Sequence, residues 1–129
     1  MPPVPTASAY NRTRAVYLAT ELVIANTHWS RFRGLMATGA FPRGSGLWLN
    51  PSRGIHTLAM RFPIDALYLD HRCQVIYLAE DLQPWRLAPF KLNAASVLEL
   101  PSGTIRATQT ALADQVDILL AHPIHSEAA

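Results

Sequence analysis

The chain has 129 residues, half of them apolar and 16% charged, with a formal net charge of +2. This is the size and composition of one globular domain, able to bury roughly two-thirds of its unfolded surface, and it excludes a disordered chain. The single cysteine, Cys73, excludes an internal disulfide and a Cys-rich zinc cage, and there is no run of ~18 apolar residues to make a membrane-spanning helix.

In chain order, residues 1–13 carry three prolines and no apolar stretch of the kind a signal peptide needs. They read as a flexible, Pro-rich lead-in, and a cytoplasmic location is expected. Arg14–Leu18 and Glu21–Asn26 are rich in aliphatic and β-branched residues and read as two short strands. Thr27 can cap a short helix over Thr27–Thr38, in which Trp29, Phe32, Leu35 and Met36 recur at helical spacing. Gly34 weakens that helix. Gly39–Gly46 is a loop, Gly46–Leu49 a short buried strand, and Asn50–Gly54 a turn. Ile55–Arg61 follows as a strand. Ile64–Leu69 and Gln74–Ala79 form the clearest hairpin, around the loop Asp70–Cys73. Cys73 is expected to be a small, partly buried turn residue.

Leu82–Phe90 holds two prolines and Trp85 and reads as an irregular crossing. Ser96–Leu100 is a strand stopped by Pro101-Ser102-Gly103, and Thr104–Thr110 suits one helical turn. Gln115–Ala121 is the last strand, followed by a mobile tail over 122–129. The tally is seven to eight short strands with one short helix near Thr27–Thr38 and no βαβ rhythm. This predicts a mainly β fold, a small antiparallel sandwich or closed barrel, in a single domain over 14–121.

Charge is unevenly placed along the chain. Residues 1–62 hold seven arginines against one acid, whereas 63–129 hold four bases against eight acids. Either the basic half meets a phosphate-bearing partner, or the halves fold together and their charges pair. The second needs no partner and is the preferred reading, so no nucleic-acid partner is expected.

Five segments appear in order: Arg33-Gly34-Leu35-Met36, Gly46-Leu47-Trp48-Leu49, His56-Thr57 with Met60, Pro63-Ile64-Asp65, and Leu98-Glu99-Leu100-Pro101-Ser102-Gly103. Together they resemble the bacterial and archaeal family known as domain of unknown function 192, over roughly Leu22–Leu120. The resemblance implies a small, mainly β fold and no assigned activity, substrate or cofactor. Many family members look exported; this sequence departs from them at its N-terminus. The Gly-Asp usual before the last strand reads Ala113-Asp114 here, which puts that turn's geometry in question. The His56-to-Met60 version looks like a subfamily, associated with pilus or secretion gene neighbourhoods.

The candidate site residues follow from polar groups that interrupt apolar strands. Asp65 precedes Leu67 and Leu69 on one strand face, so it points partly inward and needs a partner. Arg33 or Arg61 could supply it. An Arg33–Asp65 structural pair is preferred over Arg33 as an anion anchor. His56, Leu58, Met60 and Phe62 share a face if Ile55–Phe62 is a regular strand. A catalytic His56 would need an orienting carboxylate, Asp65 or Glu99. Glu99 alternates with Leu98 and Leu100 and so opposes the core face, as an exposed strand residue or a cleft group. The histidines are scattered, so no metal site is expected, and no cofactor. The sequence shows no nucleophile elbow and no phosphate loop.

The reading that follows is a binding module. Arg33, Trp48, His56, Met60, Arg61 and Glu99 would rim a cleft for a small anionic ligand or a peptide carboxylate. One alternative is a hydrolase-like enzyme using His56 with Asp65 or Glu99; an enzyme is the less favoured class. Another is a protein-interaction domain linked to a pilus or secretion system.

Overall fold

The computed structural model describes residues 7–25, 41–55 and 61–120. Within them lie seven strands: β1 (Ala7–Asn11), β2 (Val16–Ala25), β3 (Ser45–Leu49), β4 (Ile64–Leu69), β5 (Val75–Leu82), β6 (Ser96–Pro101) and β7 (Val116–Leu120). One short helix, α1 (Thr104–Thr108), follows β6. The strands form a single sheet in the order β5-β4-β6-β3-β2-β1-β7. Every neighbouring pair is antiparallel except β2 and β3.

The sheet curls into a half-barrel, so the fold is mainly β, as its sequence pattern predicts. The edge strands β5 and β7 meet at one end. A Gln74–Gln115 bridge joins them there. Val75 N–H donates to the Asp114 carbonyl at 2.9 Å, and Val116 N–H donates to the Cys73 carbonyl at 3.0 Å. The main core fills the inside of the curl, where Ala7, Ala9 and Val116 pack with Leu67, Leu69, Val75, Leu98 and Leu100 from the far strands. Two smaller clusters cover the opposite face. One is built on Leu47, Phe62 and Ile64, the other on Ala66, Tyr68, Ala94 and Val97. Strand β4 is buried on both faces along its whole length.

Several boundaries differ from the sequence expectation. The lead-in predicted over 1–13 is overturned for its second half, because Ala7–Asn11 is an interior strand, paired with β2 on one side and β7 on the other. Its inward residues are Ala7, Ala9 and Asn11, too small or too polar to announce a strand. The two strands expected over 14–26 are one strand, β2, whose pairing with β1 shifts register twice, between Ala7 and Ala9 and between Ala9 and Tyr10. Such bulges bend a strand without ending it. The expected helix at Thr27–Thr38, most of the strand at Ile55–Arg61 and the tail beyond residue 121 lie outside the described residues.

The β4–β5 hairpin forms as its turn chemistry requires. Asp70 Oδ1 accepts from the N–H groups of Arg72 and Gln74, each at 2.9 Å, the usual aspartate-capped turn. Cys73 closes that turn with φ 61°. Burial, then the negative charges of Asp70 and Asp117, raise its thiol pKa above the ordinary value. The helical turn expected after Gly103 is α1.

Charges of the two halves do pair across the domain. Arg12 donates to Asp117 at 2.6 Å and Arg14 to Asp114 at 2.9 Å. Asp114 Oδ2 also accepts from Asn11 Nδ2 at 3.0 Å and from Ala111 N–H at 2.9 Å. Burial works to raise the pKa of Asp114, but the hydrogen bonds from Arg14, Asn11 and Ala111 prevail and lower it.

Ala113, where the resembling family has glycine, takes φ 72°. A side chain in this left-handed region costs about 1–2 kcal/mol, partly offset by the extra unfolded-state entropy a glycine would bring. Ala113→Gly is therefore expected to stabilise the fold by about 0.5–1 kcal/mol. Urea denaturation would show this as a higher midpoint with an unchanged slope.

Candidate functional site

Asp65 is fully buried on the inner face of β4, as its spacing from Leu67 and Leu69 predicts. Among the described residues its partners are backbone groups. Oδ1 accepts from Asp81 N–H at 2.8 Å, and Oδ2 accepts from Gly103 N–H at 3.1 Å and Ile105 N–H at 2.8 Å. Gly103 sits at φ 95°, a conformation few other residues hold, and this turns its N–H onto the carboxylate. With these three donors on its two oxygens, Asp65 fastens β5 and α1 to β4. Arg33 lies outside the described residues.

Glu99 on β6 pairs in register with Leu47 of β3 and Ala66 of β4. It therefore stands on the outer face of the sheet, between the two smaller apolar clusters. That face is covered, so Glu99 is only 4% exposed and the exposed-strand alternative is overturned. Burial pushes its pKa up to about 8. Tyr68 shares this face; its hydroxyl donates to the Pro89 carbonyl at 2.7 Å. Burial first, then Tyr77 and Glu99, push the Tyr68 pKa up to about 12.

Trp48 neighbours Leu47 along β3 and so lies on the opposite face from Glu99, packed against the inner core. Its indole N–H is buried without an acceptor. Asp65 also lies on that inner face, opposite Leu100. Of the residues expected to rim one cleft, Trp48 thus lies inside the curl, on the same face as Asp65, and Glu99 lies outside. Arg61 is exposed, next to buried Phe62. His56 and Met60 lie outside the described residues.

An open cleft of about 580 Å³ lies elsewhere, where three segments meet. It is lined by Asn50, Pro51, Ser52 and Arg53 after β3, by His71 from the β4–β5 turn, and by Phe90, Ala94 and Ala95 before β6. Backbone hydrogen bonds hold these walls together. Ser52 N–H donates to Ala95 O at 3.0 Å, Ala95 N–H to Leu69 O at 2.8 Å, and Lys91 N–H to Arg53 O at 2.9 Å. Among the described residues, the lining offers Arg53 and His71 as cationic or donor groups, Asn50 as a polar one, and no carboxylate. Asn50–Gly54 reads from the sequence as a plain turn, and neither Arg53 nor His71 stands out there. Only the sheet order brings these two together, so no local signal could have found them. Among the described residues, no group of three or more His, Cys, Asp or Glu is placed to hold a metal ion. No helix there is long and apolar enough to cross a membrane.

These features define a small, mainly β protein built on one curled sheet. The DUF192 model, described as Uncharacterized ACR, matches residues 9–118, and the chain belongs to this family. A UPF0127 protein from Thermococcus sibiricus is 33% identical, over 83% of this chain and 71% of that protein. Two crystal structures share the fold, each with a TM-score of 0.65 and covering 88% of this chain. One, from Sinorhizobium meliloti 1021 and described only provisionally as a transcription regulator, is 20% identical and covered over 92% of its length. The other, a protein of unknown function from Novosphingobium aromaticivorans, is 16% identical and covered over 84%.

Two outcomes test these assignments. Asp65→Ala strands three backbone donors and is expected to cost about 2–4 kcal/mol in chemical denaturation. Glu99 behaves differently. Its folded pKa lies above its unfolded one, so its contribution to stability is complete below about 4.5 and is lost as pH rises through about 8. Glu99→Gln removes that loss. The variant should match the wild type near the acid end and exceed it by a margin growing to at most ~5 kcal/mol above pH 8, read from thermal midpoints across pH.

Proposed function

We propose that the protein is a binding module for a small anionic ligand or a peptide carboxylate, seated in the cleft beside Arg53 and His71. The observation that carries this reading is a preformed recess whose described lining holds two basic side chains and no acid. A guanidinium can grip a carboxylate with two parallel charge-assisted hydrogen bonds. Phe90 adds an apolar wall for whatever the anion is attached to. Asp70, next to His71 in sequence, spends one carboxylate oxygen on its own turn. Arg33, His56, Met60 and Arg61 remain candidate ligand residues.

A second reading rests on Glu99. A carboxyl group buried enough to hold its proton near neutral pH is suited to general-acid work, and His56 is its candidate partner in a hydrolase-like reaction.

The test for the first reading is calorimetric titration with a short peptide ending in a free carboxylate, alongside the same peptide as its C-terminal amide. The free acid is expected to bind and the amide not. Arg53→Ala should weaken the acid by about 10- to 100-fold, the value of one charged hydrogen-bond pair. Equal binding of acid and amide, or an unaffected Arg53→Ala, would reject the cleft as an anion site.

A further inference from the structure

The loop between β5 and β6 leaves four large apolar side chains in solvent: Trp85 at 64% exposure, Leu87 at 75%, Phe90 at 65% and Leu92 at 78%. Such a concentration on one short segment is unusual for a surface that touches only water. The loop is not loosely held. Ala88 N–H donates to Ile55 O at 3.0 Å, Lys91 N–H to Arg53 O at 2.9 Å, and Tyr68 Oη to Pro89 O at 2.7 Å. These bonds fix the backbone at 88, 89 and 91, and the apolar side chains at 85, 87, 90 and 92 are left outward.

Charge selects the partner. Arg86 and Lys91 are interleaved with the four apolar residues, Lys91 with its ammonium 4.5 Å over the Tyr77 ring, and Arg53 is bonded to the same loop through its carbonyl. No Asp or Glu occurs from Gln83 to Ala95. The nearest acids before it, Glu80 and Asp81, stand on β5, and Asp81 accepts from Ser102 Oγ at 2.7 Å. Tryptophan, leucine and phenylalanine among lysine and arginine is the pattern that seats a protein in the headgroup layer of an anionic bilayer. A symmetric contact with a second copy would instead set these cations against themselves.

We propose that residues 83–92 form a docking surface for a membrane bearing anionic lipids. Apolar side chains enter the headgroup region while Lys91 and Arg53 at its edge meet lipid phosphate and carboxylate groups. This surface adjoins the anion cleft and shares Phe90 and Arg53 with it, yet does not depend on the cleft having a ligand.

The experiment is co-sedimentation of the full chain with vesicles of phosphatidylcholine alone and of phosphatidylcholine mixed with phosphatidylserine. The wild type is expected to partition onto the mixed vesicles, less so as salt rises. Leu87→Ser/Leu92→Ser should reduce that partition at least about tenfold, since each loses an apolar side chain from the contact. Both sites are exposed, so the thermal midpoint should hold; Leu92→Ser alone serves if it does not. His71→Ala, which alters only the cleft, should sediment like the wild type. Failure to bind either vesicle, or undiminished binding by both serine variants, overturns the proposal. A wild-type chain that ignores vesicles but forms a dimer lost in the serine variant also overturns it, and assigns the patch to a second copy.

Discussion

Three backbone N–H groups from two separate segments converge on one buried carboxylate, that of Asp65. A half-barrel this small has little apolar core to spare at its ends, and backbone donors buried there must be satisfied locally. Asp65 meets that demand for the far part of β5, for the turn at Gly103 and for the first turn of α1. Asp114 does the same at the other edge, where Asn11, Arg14 and Ala111 converge on it. Two carboxylates thus set where the strands stop and how the sheet edges approach each other.

Strand alternation then decides which polar residues can act together. Trp48 and Asp65 face the inside of the curl, while Glu99 faces out, under its own apolar cover. The covered outer face explains how a glutamate on an interior strand comes to be sealed from water with its proton retained. The cleft at Arg53 and His71 owes nothing to that alternation. It forms where turns and a loop are stitched together by backbone bonds. Such places, carried by a rigid sheet and free of core-packing duties, are where binding residues usually sit.

Much of the architecture was legible because it rests on local chemistry. The β4–β5 hairpin is announced by two apolar runs and an aspartate-led turn, and the helical turn after Pro101-Ser102-Gly103 by its punctuation. Asp65 was legible as a buried, partnered acid from its spacing with Leu67 and Leu69. Strand β1 was not, because Ala7 and Ala9 carry almost no hydrophobic signal and follow three prolines. The inward place of this strand depends on β2 and β7 closing around it. Glu99 was placed on the correct face, but its burial depends on what covers that face. Arg53 and His71 were invisible as a pair, since they are 18 positions apart in turns that only the sheet order brings together.

Where an anion settles on the protein decides between the Arg53–His71 cleft and the buried Glu99. Backbone amide shift mapping of the full chain, titrated with a peptide ending in a free carboxylate, measures this directly. The expected result is a cluster of shifts at Ser52, Arg53, His71, Ala94 and Ala95, with Trp48 and Glu99 undisturbed. Shifts centred on Glu99 and its neighbours on β3 and β4, or none that saturate, would contradict it.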